Sequence, residues 1–473
     1  MSLCTSARLL PQQFRLVLAS LLQNPGLPFA DSLSEEAIEA AFQEEGVAFG
    51  QEEDEVYTPA LTLWAFLSQM LFKDEQRSCV AAVSRIIVLL VSLGRKPCSD
   101  NTGAYCRARA KLSERVLCRI TYQAADGCEA TVLQRWRWKG LSVSLVDGFT
   151  VSMPDTPENQ EAYPQSASQQ EGLGFPVLRG LVMLSLATAM VRGLAVGPCV
   201  GKETGETALL RELLDRFHPG EVMVADRYHC SYFMICLLME RGVDVVVRLH
   251  QCRTADFRYG KRLDAGDHIV EWQRPQRPDW MDEETYRRMP ESLQVREVEV
   301  AVAQPGFRVQ KLVVVTTLLD AKEYTRKDLA ELYHQRWLAE LDIRAIKCSM
   351  GMDVLRCQSP AMVRKEIWAC LLAYNLVRRT LLQSALARKR SPRQISFTAA
   401  MQKIAASWMQ GPLLDEETAA VLLEVDWKHL AGHKIGHRPN RVEPRAVKRR
   451  PKPHDLLTKP RAEARVALLK NNP

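Results

Sequence analysis

Near residue 136 the spacing of apolar residues changes period, and this change limits the possible folds more than any other feature. Before it, apolar residues recur at helical spacing, as in LTLWAFLSQMLF (residues 61–72) and over residues 80–93. After it, strands and helices alternate. Residues 141–146 read as an apolar strand, and residues 178–189 and 190–196 as two more, split near Arg192 and Gly193. Residues 206–217 have helical periodicity carried by Leu209, Leu210, Leu213 and Leu214. Residues 221–225 predict a short buried strand, 232–241 a helix and 243–249 another strand. The order is βββαβαβ, a three-strand meander followed by alternating helices and parallel strands.

That is the order of a ribonuclease-H-like core, so the expected fold class is α/β. Residues 251–321 break the rhythm: they are rich in Arg, Pro and Trp, then give alternating strands over 295–302 and 309–317 joined by the turn signal QPGF (residues 304–307). This stretch reads as a β-rich insertion. A long helix follows, opened by a capping-box pattern at Thr325 and Asp328 and continuing to about Lys347. A further helix covers residues 363–382, and the chain turns basic from RKRSPR (residues 388–393). Three regions are expected: a helical N-terminal DNA-binding domain (1–135), a catalytic core (136–385, with the insertion at 251–321) and a basic C-terminal region for DNA or dimer contacts (386–473). In the first region, Ser32 and Glu35 form another capping-box pattern. Residues 31–55 hold ten acidic residues and no basic one, as a solvated helix face and loop would. Arg107, Lys111 and Arg115 stand four apart, on one helix face able to touch phosphates.

At about 150 residues per domain, a chain of 473 residues is expected to hold two to four domains. Hydrophobic residues at 47% and charged residues at 25% exclude a wholly disordered chain, a collagen and a small disulfide scaffold. The apolar runs 181–191 and 86–93, interrupted only by Ser and Thr, are bracketed by arginines and fall short of the roughly 18–20 residues a membrane helix needs. No membrane span is expected, and the N-terminal residues, with arginines through their apolar stretch and no small-residue cleavage site, do not read as a signal peptide. The 13 cysteines are scattered singly with no C-x-x-C, which excludes zinc-ribbon and thioredoxin-like motifs and predicts reduced thiols in a cytoplasmic setting. The net charge of +7 is uneven: residues 431–473 carry 12 Lys and Arg against 3 Asp and Glu, and the rest of the chain 51 against 53. A basic tail suits a polyanionic partner or simple solvation.

Three carboxylates fall where this topology would gather them. Asp147 ends the first strand and Asp226 ends the strand after the first core helix; the two strands are expected to be neighbours, with both side chains at one sheet edge. Glu340 lies on the helix after the insertion. Carboxylate oxygens are hard ligands suited to two Mg²⁺ or Mn²⁺ ions, which activate a water or 3′-hydroxyl and stabilise the leaving oxygen of a phosphodiester. On the same helix, Tyr333, Arg336, Glu340 and Lys347 share about a 60° arc at roughly 100° per residue. A carboxylate flanked by cationic donors suits a metal ligand beside phosphate clamps, although an exposed salt-bridged face gives the same pattern.

The spacing Y-x2-R-x3-E-x6-K resembles the signature of bacterial insertion-sequence transposases of the DDE type, the YREK group. LVDGFTVSMPDTPENQ (residues 145–160) resembles the first-Asp region of that family and VMVADRYHCSYF (residues 222–233) its second-Asp region, and the likeness runs from about Asn101 to Leu382. The resemblance implies a ribonuclease-H-like catalytic domain with Asp147, Asp226 and Glu340 as the metal-binding triad. It implies that Tyr333, Arg336 and Lys347 contact phosphates near the scissile bond, and that a Trp, among Trp272, Trp280 and Trp337, stacks a flipped base. Phe149 and the run Tyr228, His229, Cys230 depart from the family pattern. The implied activity is cut-and-paste DNA transposition by hydrolysis and strand transfer through hairpin ends. Its partners would be double-stranded DNA (terminal inverted repeats and target), with a homodimer on the element ends and no membrane. A ribonuclease-H-like nuclease without strand transfer and a non-catalytic DNA-binding protein are the alternatives.

Other motifs carry less. GPCVGK (residues 197–202) fails as a phosphate loop, with three residues between its glycines and Glu203 after the lysine. His429, His433 and His437 stand four apart, but Gly432 and Gly436 oppose a helix there. Asp155 and Glu158 read as a polar loop, and Lys202 and Arg227 as possible phosphate contacts near the proposed site.

Overall fold

The computed structural model describes residues 41–47, 49–50, 55–301, 311–435 and 457–471. The capping pattern at Ser32 and Glu35, most of the acidic run, the QPGF turn, His437 and most of the basic tail lie outside the described residues. Helical residues 41–44 are followed by four helices: α1 (Pro59–Leu71), α2 (Cys79–Ser92), α3 (Thr102–Lys111) and α4 (Glu114–Ala130). Side chains of Thr58, Ser78, Asn101 and Ser113 cap them by accepting from backbone amides of the first turn. Helix α1 is apolar nearly all round, and all of it is buried. The single basic face expected over Arg107, Lys111 and Arg115 is not formed. Leu112 is extended and Ser113 restarts the chain as an N-cap, so Arg107 and Lys111 lie on α3 and Arg115 on α4.

The expected βββαβαβ order is present. It comprises β1 (Ser142–Ser152), a short α5 (Pro157–Ala162), β2 (Val177–Ser185), β3 (Val191–Pro198), α6 (Glu206–Glu212), β4 (Glu221–Ala225), α7 (Tyr232–Met239) and β5 (Asp244–Arg248). The turn between β2 and β3 falls at residues 186–190 rather than at Arg192 and Gly193. Ala189 takes a left-handed conformation there (φ 63°), a turn hidden in sequence by its apolar residues. The stretch read as an insertion adds β6 (Lys261–Asp264), β7 (Asp267–Gln273), α8 (Glu283–Arg288), β8 (Ser292–Ala301) and β9 (Lys311–Thr316). These strands extend the same sheet, whose order is β3-β2-β1-β4-β5-β9-β8-β7-β6. Strands β1, β4 and β5 run parallel; the other pairs are antiparallel.

Both faces of the central strands are covered, and side chains alternate between them with period two. Val143 and Leu145 of β1, Val222 and Val224 of β4 and Val246 of β5 face one core, shared with α1, α2 and α4. Val146, Met223, Ala225, Val245 and Val247 face the other, shared with Leu209 and Leu210 of α6 and Ile235 of α7. After β9 come α9 (Arg326–His334), α10 (Trp337–Arg344) and the 28-residue α11 (Pro360–Ala387). Helix α11 is stitched in by Asn375, which is fully buried. Its amide donates to Thr121 O of α4 (3.1 Å) and Val191 O of β3 (2.9 Å), and its oxygen accepts from Val191 N (2.9 Å). Helices α12 (Phe397–Ser407) and α13 (Glu416–Gly432) pack back on this body, with Trp408 stacked on Trp64 of α1 at 5.6 Å between ring centroids, and α14 (Arg461–Asn471) follows. Among the described residues, the cysteines are free thiols and no helix is long and apolar enough to cross a membrane.

Candidate active site

Strands β1 and β4 pair in parallel from Ser142 opposite Glu221 to Val146 opposite Ala225, and the next residue on each is an aspartate. Asp147 does not end its strand, as expected from sequence, because β1 runs on to Ser152 against β2. Strand β4 stops at Ala225, since Asp226 accepts the Arg227 amide (2.7 Å) and opens a 3₁₀ turn over Arg227–His229. The shorter strand leaves a notch beside Asp147, so two carboxylates stand next to each other where the parallel β1–β4 ladder ends.

The third carboxylate reaches this notch from α10. The expected single helix to Lys347 is not uniform. The capping box at Thr325 and Asp328 forms and starts α9. At residues 335–339 the coil tightens to i→i+3 bonds, with Arg336 N to Tyr333 O at 3.1 Å and Ala339 N to Arg336 O at 2.9 Å. At Ala345–Ser349 it widens into a π turn. The result differs from an open stripe of four side chains. Tyr333 is buried. Arg336 donates to Glu340 Oε1 (2.8 Å) and stands 3.6 Å from Asp147 Oδ2. Lys347, in the π turn, donates to the Thr150 carbonyl of β1 (2.7 Å). Two cations thus lay the helix along β1, and the guanidinium joins the first carboxylate to the third.

Sequence reasoning missed Glu206, the first residue of α6. Its carboxylate packs on the Cα of Gly148: a Cβ there would meet Oε1 at 2.2 Å. Its Oε2 lies 3.8 Å from Nε2 of His229. Burial, followed by the like charge of Asp226 and against the pull of Arg179, raises the Glu206 carboxyl above its ordinary value. Burial pushes His229 down to about 4, with Asp226 opposing, so this ring is neutral at pH 7. A Glu in the first turn of a helix is so common that only its position after the third strand, facing an Asp-Gly pair, offered a signal.

Asp147 is pushed up to about 6 by burial, with Glu340 and Glu206 adding to the rise and Arg336 and the Gly148 amide opposing it. The folded state therefore holds this proton more tightly than the unfolded chain. Its stabilising contribution is complete below pH about 4 and is lost as pH rises through about 6. At pH 7 without metal, the ionised Asp147 costs stability. Asp147→Asn is expected to be more stable than the parent there by ~1–2 kcal/mol, after discounting for its partial solvent access. The gap should shrink to about half by pH 5 and close only below pH about 4. Calorimetric melts in EDTA at pH 7 and pH 5 check this, and an Asn variant melting below the parent at pH 7 rules it out.

The donor chemistry suits a divalent cation: the hard carboxylate oxygens of Asp147, Asp226 and Glu340 are brought to one end of the β1–β4 ladder. Among the described residues, no group of three or more His, Cys, Asp or Glu side chains stands ready-made as a metal site. Arg336 supplies the positive charge between Asp147 and Glu340 instead. Asp155 accepts from Gln160 (2.7 Å) and Glu158 is exposed on α5, away from this group. Lys202 is exposed in the loop after β3, and Arg227 lies over the ring of exposed Tyr228 at 5.6 Å. Phe149 fills the room left by Gly180 opposite it on β2, where a Cβ would meet Cζ at 2.4 Å. Of the three tryptophans, Trp272 is buried and donates to Glu297 (3.0 Å), and Trp280 is half-buried with Arg211 over its ring. Trp337, next to Arg336, is 45% exposed.

Residues 138–376, just over half of the chain, match the family described as the transposase DDE domain. Over 452 residues, covering 91% of this chain and 93% of the relative, the sequence is 25% identical to the transposase InsG for insertion sequence element IS4 of Escherichia coli (strain K12). Among solved structures it is similar to the piggyBac transposase synaptic complex with hairpin DNA, determined by cryo-EM. The identity is 12%, with 89% of this chain and 87% of that chain covered and a TM-score of 0.45.

Proposed function

Because the chain belongs to the DDE transposases, enzymes of transposition, we propose that it excises its own insertion sequence from double-stranded DNA and joins it to a target by a cut-and-paste route through hairpin ends. The observation that carries this reading is the meeting of Asp147 and Asp226 on adjacent parallel strands, with Glu340 tied to Asp147 through Arg336. Asp147, Asp226 and Glu340 would hold two Mg²⁺ or Mn²⁺ ions, whose chemistry when bound is to activate water or a 3′-hydroxyl and to stabilise the leaving oxygen. Arg336 and Lys347 would supply the cationic donors that a scissile phosphate needs, with Tyr333, buried beside Arg336, as the third contact of the helix motif. Trp337, exposed beside Arg336, would be the tryptophan that stacks a base turned out of the duplex.

In this reading a ribonuclease-H-like core covers residues 136–385, with strands β6 to β9 as its β-rich insertion. The helical region 1–135 recognises the terminal inverted repeats, and the basic region 386–473 adds salt-sensitive phosphate or dimer contacts. Two copies act together on the two element ends, in the cytoplasm and on DNA, without a membrane.

A supercoiled plasmid carrying the flanking inverted repeats tests this. With protein and Mg²⁺, double-strand release with hairpinned ends and subsequent joining to a second plasmid is expected on denaturing gels. Cutting without hairpins or joining would favour the nuclease. Binding without cutting in either Mg²⁺ or Mn²⁺ would favour a non-catalytic protein.

A further inference from the structure

Cys79 is the first residue of α2, and Cys106 lies midway along α3. Their sulfurs are in contact: the Cys106 thiol donates to Cys79 Sγ at 3.8 Å. Both are free thiols and half-buried, so a small molecule in solvent can reach them. The Cys79 sulfur accepts a second hydrogen bond, from Gln69 Nε2 of α1 at 3.9 Å. That amide is fixed from both ends. Its Nε2 also donates to the Arg77 carbonyl (2.7 Å), and its Oε1 accepts from the Tyr105 hydroxyl (2.6 Å) and from Arg109 (3.2 Å). A sulfur that receives two donors is placed to carry charge, and the thiolate is the attacking species in thiol–disulfide exchange. Cys106 is the partner that keeps its proton. Burial raises its thiol above the ordinary value, with Cys79 adding to the rise and Arg109 and Arg107 opposing it. The chemistry proposed for Asp147, Asp226 and Glu340 uses neither sulfur.

We propose that Cys79 and Cys106 are a site of reversible oxidation, forming a disulfide with each other when the protein meets a small-molecule disulfide such as oxidised glutathione. The Cys79 thiolate attacks one sulfur of the oxidant, and the proton it lost goes to the glutathione thiolate that leaves. Cys106 then gives up its proton and attacks the Cys79 sulfur, expelling the second glutathione as a thiol. Two protein thiols are oxidised and one small disulfide is reduced to two thiols, so protons and electrons balance. A sulfur–sulfur bond of about 2 Å is within reach of side-chain movement from this contact. It ties the start of α2 to α3 around Gln69, and excess small-molecule thiol reverses it.

The test is the full chain incubated with oxidised glutathione, alkylated, digested without reductant and mapped by mass spectrometry. The peptides carrying Cys79 and Cys106 are expected joined to each other and separated by dithiothreitol, while the exposed Cys252 and Cys348 carry glutathione. In Cys106→Ser, Cys79 should retain glutathione, since the group that expels it is gone. In Cys79→Ser, Cys106 should take up glutathione roughly tenfold more slowly than Cys79 does in Cys106→Ser, and equal rates would overturn the choice of Cys79 as the attacking sulfur. The oxidised parent should melt a few degrees above the reduced parent, a rise absent from both variants. Absence of the joined peptide after oxidation of the folded chain overturns the proposal. So does a link from either residue to the buried Cys357 in greater yield, or a link that forms no faster in the folded chain than in urea. An oxidised parent that melts below the reduced one overturns it as well, because the fold would then oppose the bond.

Discussion

Glu340→Gln is expected to leave the protein folded and bound to its DNA while strand cleavage falls by roughly 10³-fold or more, about 4 kcal/mol of transition-state free energy. The amide keeps the volume of the carboxylate and still offers an oxygen to Arg336. The ion pair it replaces is partly exposed, at 37% on the Glu340 side, so its contribution to stability is within about 1 kcal/mol. Arg336 also retains Asp147 at 3.6 Å. What is lost is one of the hard, charged oxygens that a divalent cation requires. Asp226→Asn should behave alike, because Asn serves as well as Asp at the start of the turn over Arg227–His229. Lys347→Ala should differ in kind. Removing its contact with the Thr150 carbonyl and a cationic donor would weaken DNA binding and flatten its salt dependence, with a smaller loss of cutting. Rates of first-strand nicking on denaturing gels, with gel-shift affinities alongside, separate the two effects. Cleavage by Glu340→Gln within threefold of the parent would sink the assignment of that residue.

The parts of this site that are legible in the sequence are those fixed by short-range periodicity. Asp147 and Asp226 follow apolar strands of a recognisable order, and parallel pairing of neighbouring strands brings successive residues together without further information. Glu340 and Arg336 share a helix face at i,i+4, which survives even though the coil tightens at residues 335–339. Parts set by competing local hydrogen bonds are not legible. Ser113 breaks a basic helix in two because its hydroxyl serves as a cap. The β2–β3 turn is built from apolar residues around a left-handed Ala189, so no Gly, Asn or Pro announces it. Strands β6 and β7 are hidden among Arg, Pro and charged residues that belong to the rim of the sheet. Glu206 depends on a contact across the sheet edge, with Gly148, that no spacing within α6 encodes. Spacing finds Lys347, but not the π turn that swings it onto β1.

Asp342→Ala is expected to be the most damaging single change to stability near the site, at about 3–5 kcal/mol, although the residue touches no substrate. Asp342 lies two residues beyond Glu340, on the side of α10 away from the notch, and is 3% exposed. Its Oδ1 accepts from Arg378 of α11 (2.8 Å), and its Oδ2 pairs with Arg393 at 2.9 Å. Arg378 also donates to the Tyr374 hydroxyl (2.9 Å), and Arg393 to the carbonyls of Ser185 (2.8 Å) and Leu186 where β2 ends. One buried carboxylate therefore fixes α10 against both α11 and the meander that carries β1. Truncating it strands two guanidinium groups in the interior, where an uncompensated charge costs more than the pair contributed. Removing one of those charges as well should then help. The double variant Asp342→Leu with Arg378→Met should unfold at a higher denaturant concentration than Asp342→Ala, with a coupling of at least about 1 kcal/mol. Cleavage should fall with Asp342→Ala even at temperatures where the variant is fully folded, since Glu340 then loses the brace that sets its distance from Asp147. A denaturation midpoint for Asp342→Ala equal to that of the parent would show that the two arginines find other partners, and that α10 is held by Arg336 and Lys347 alone.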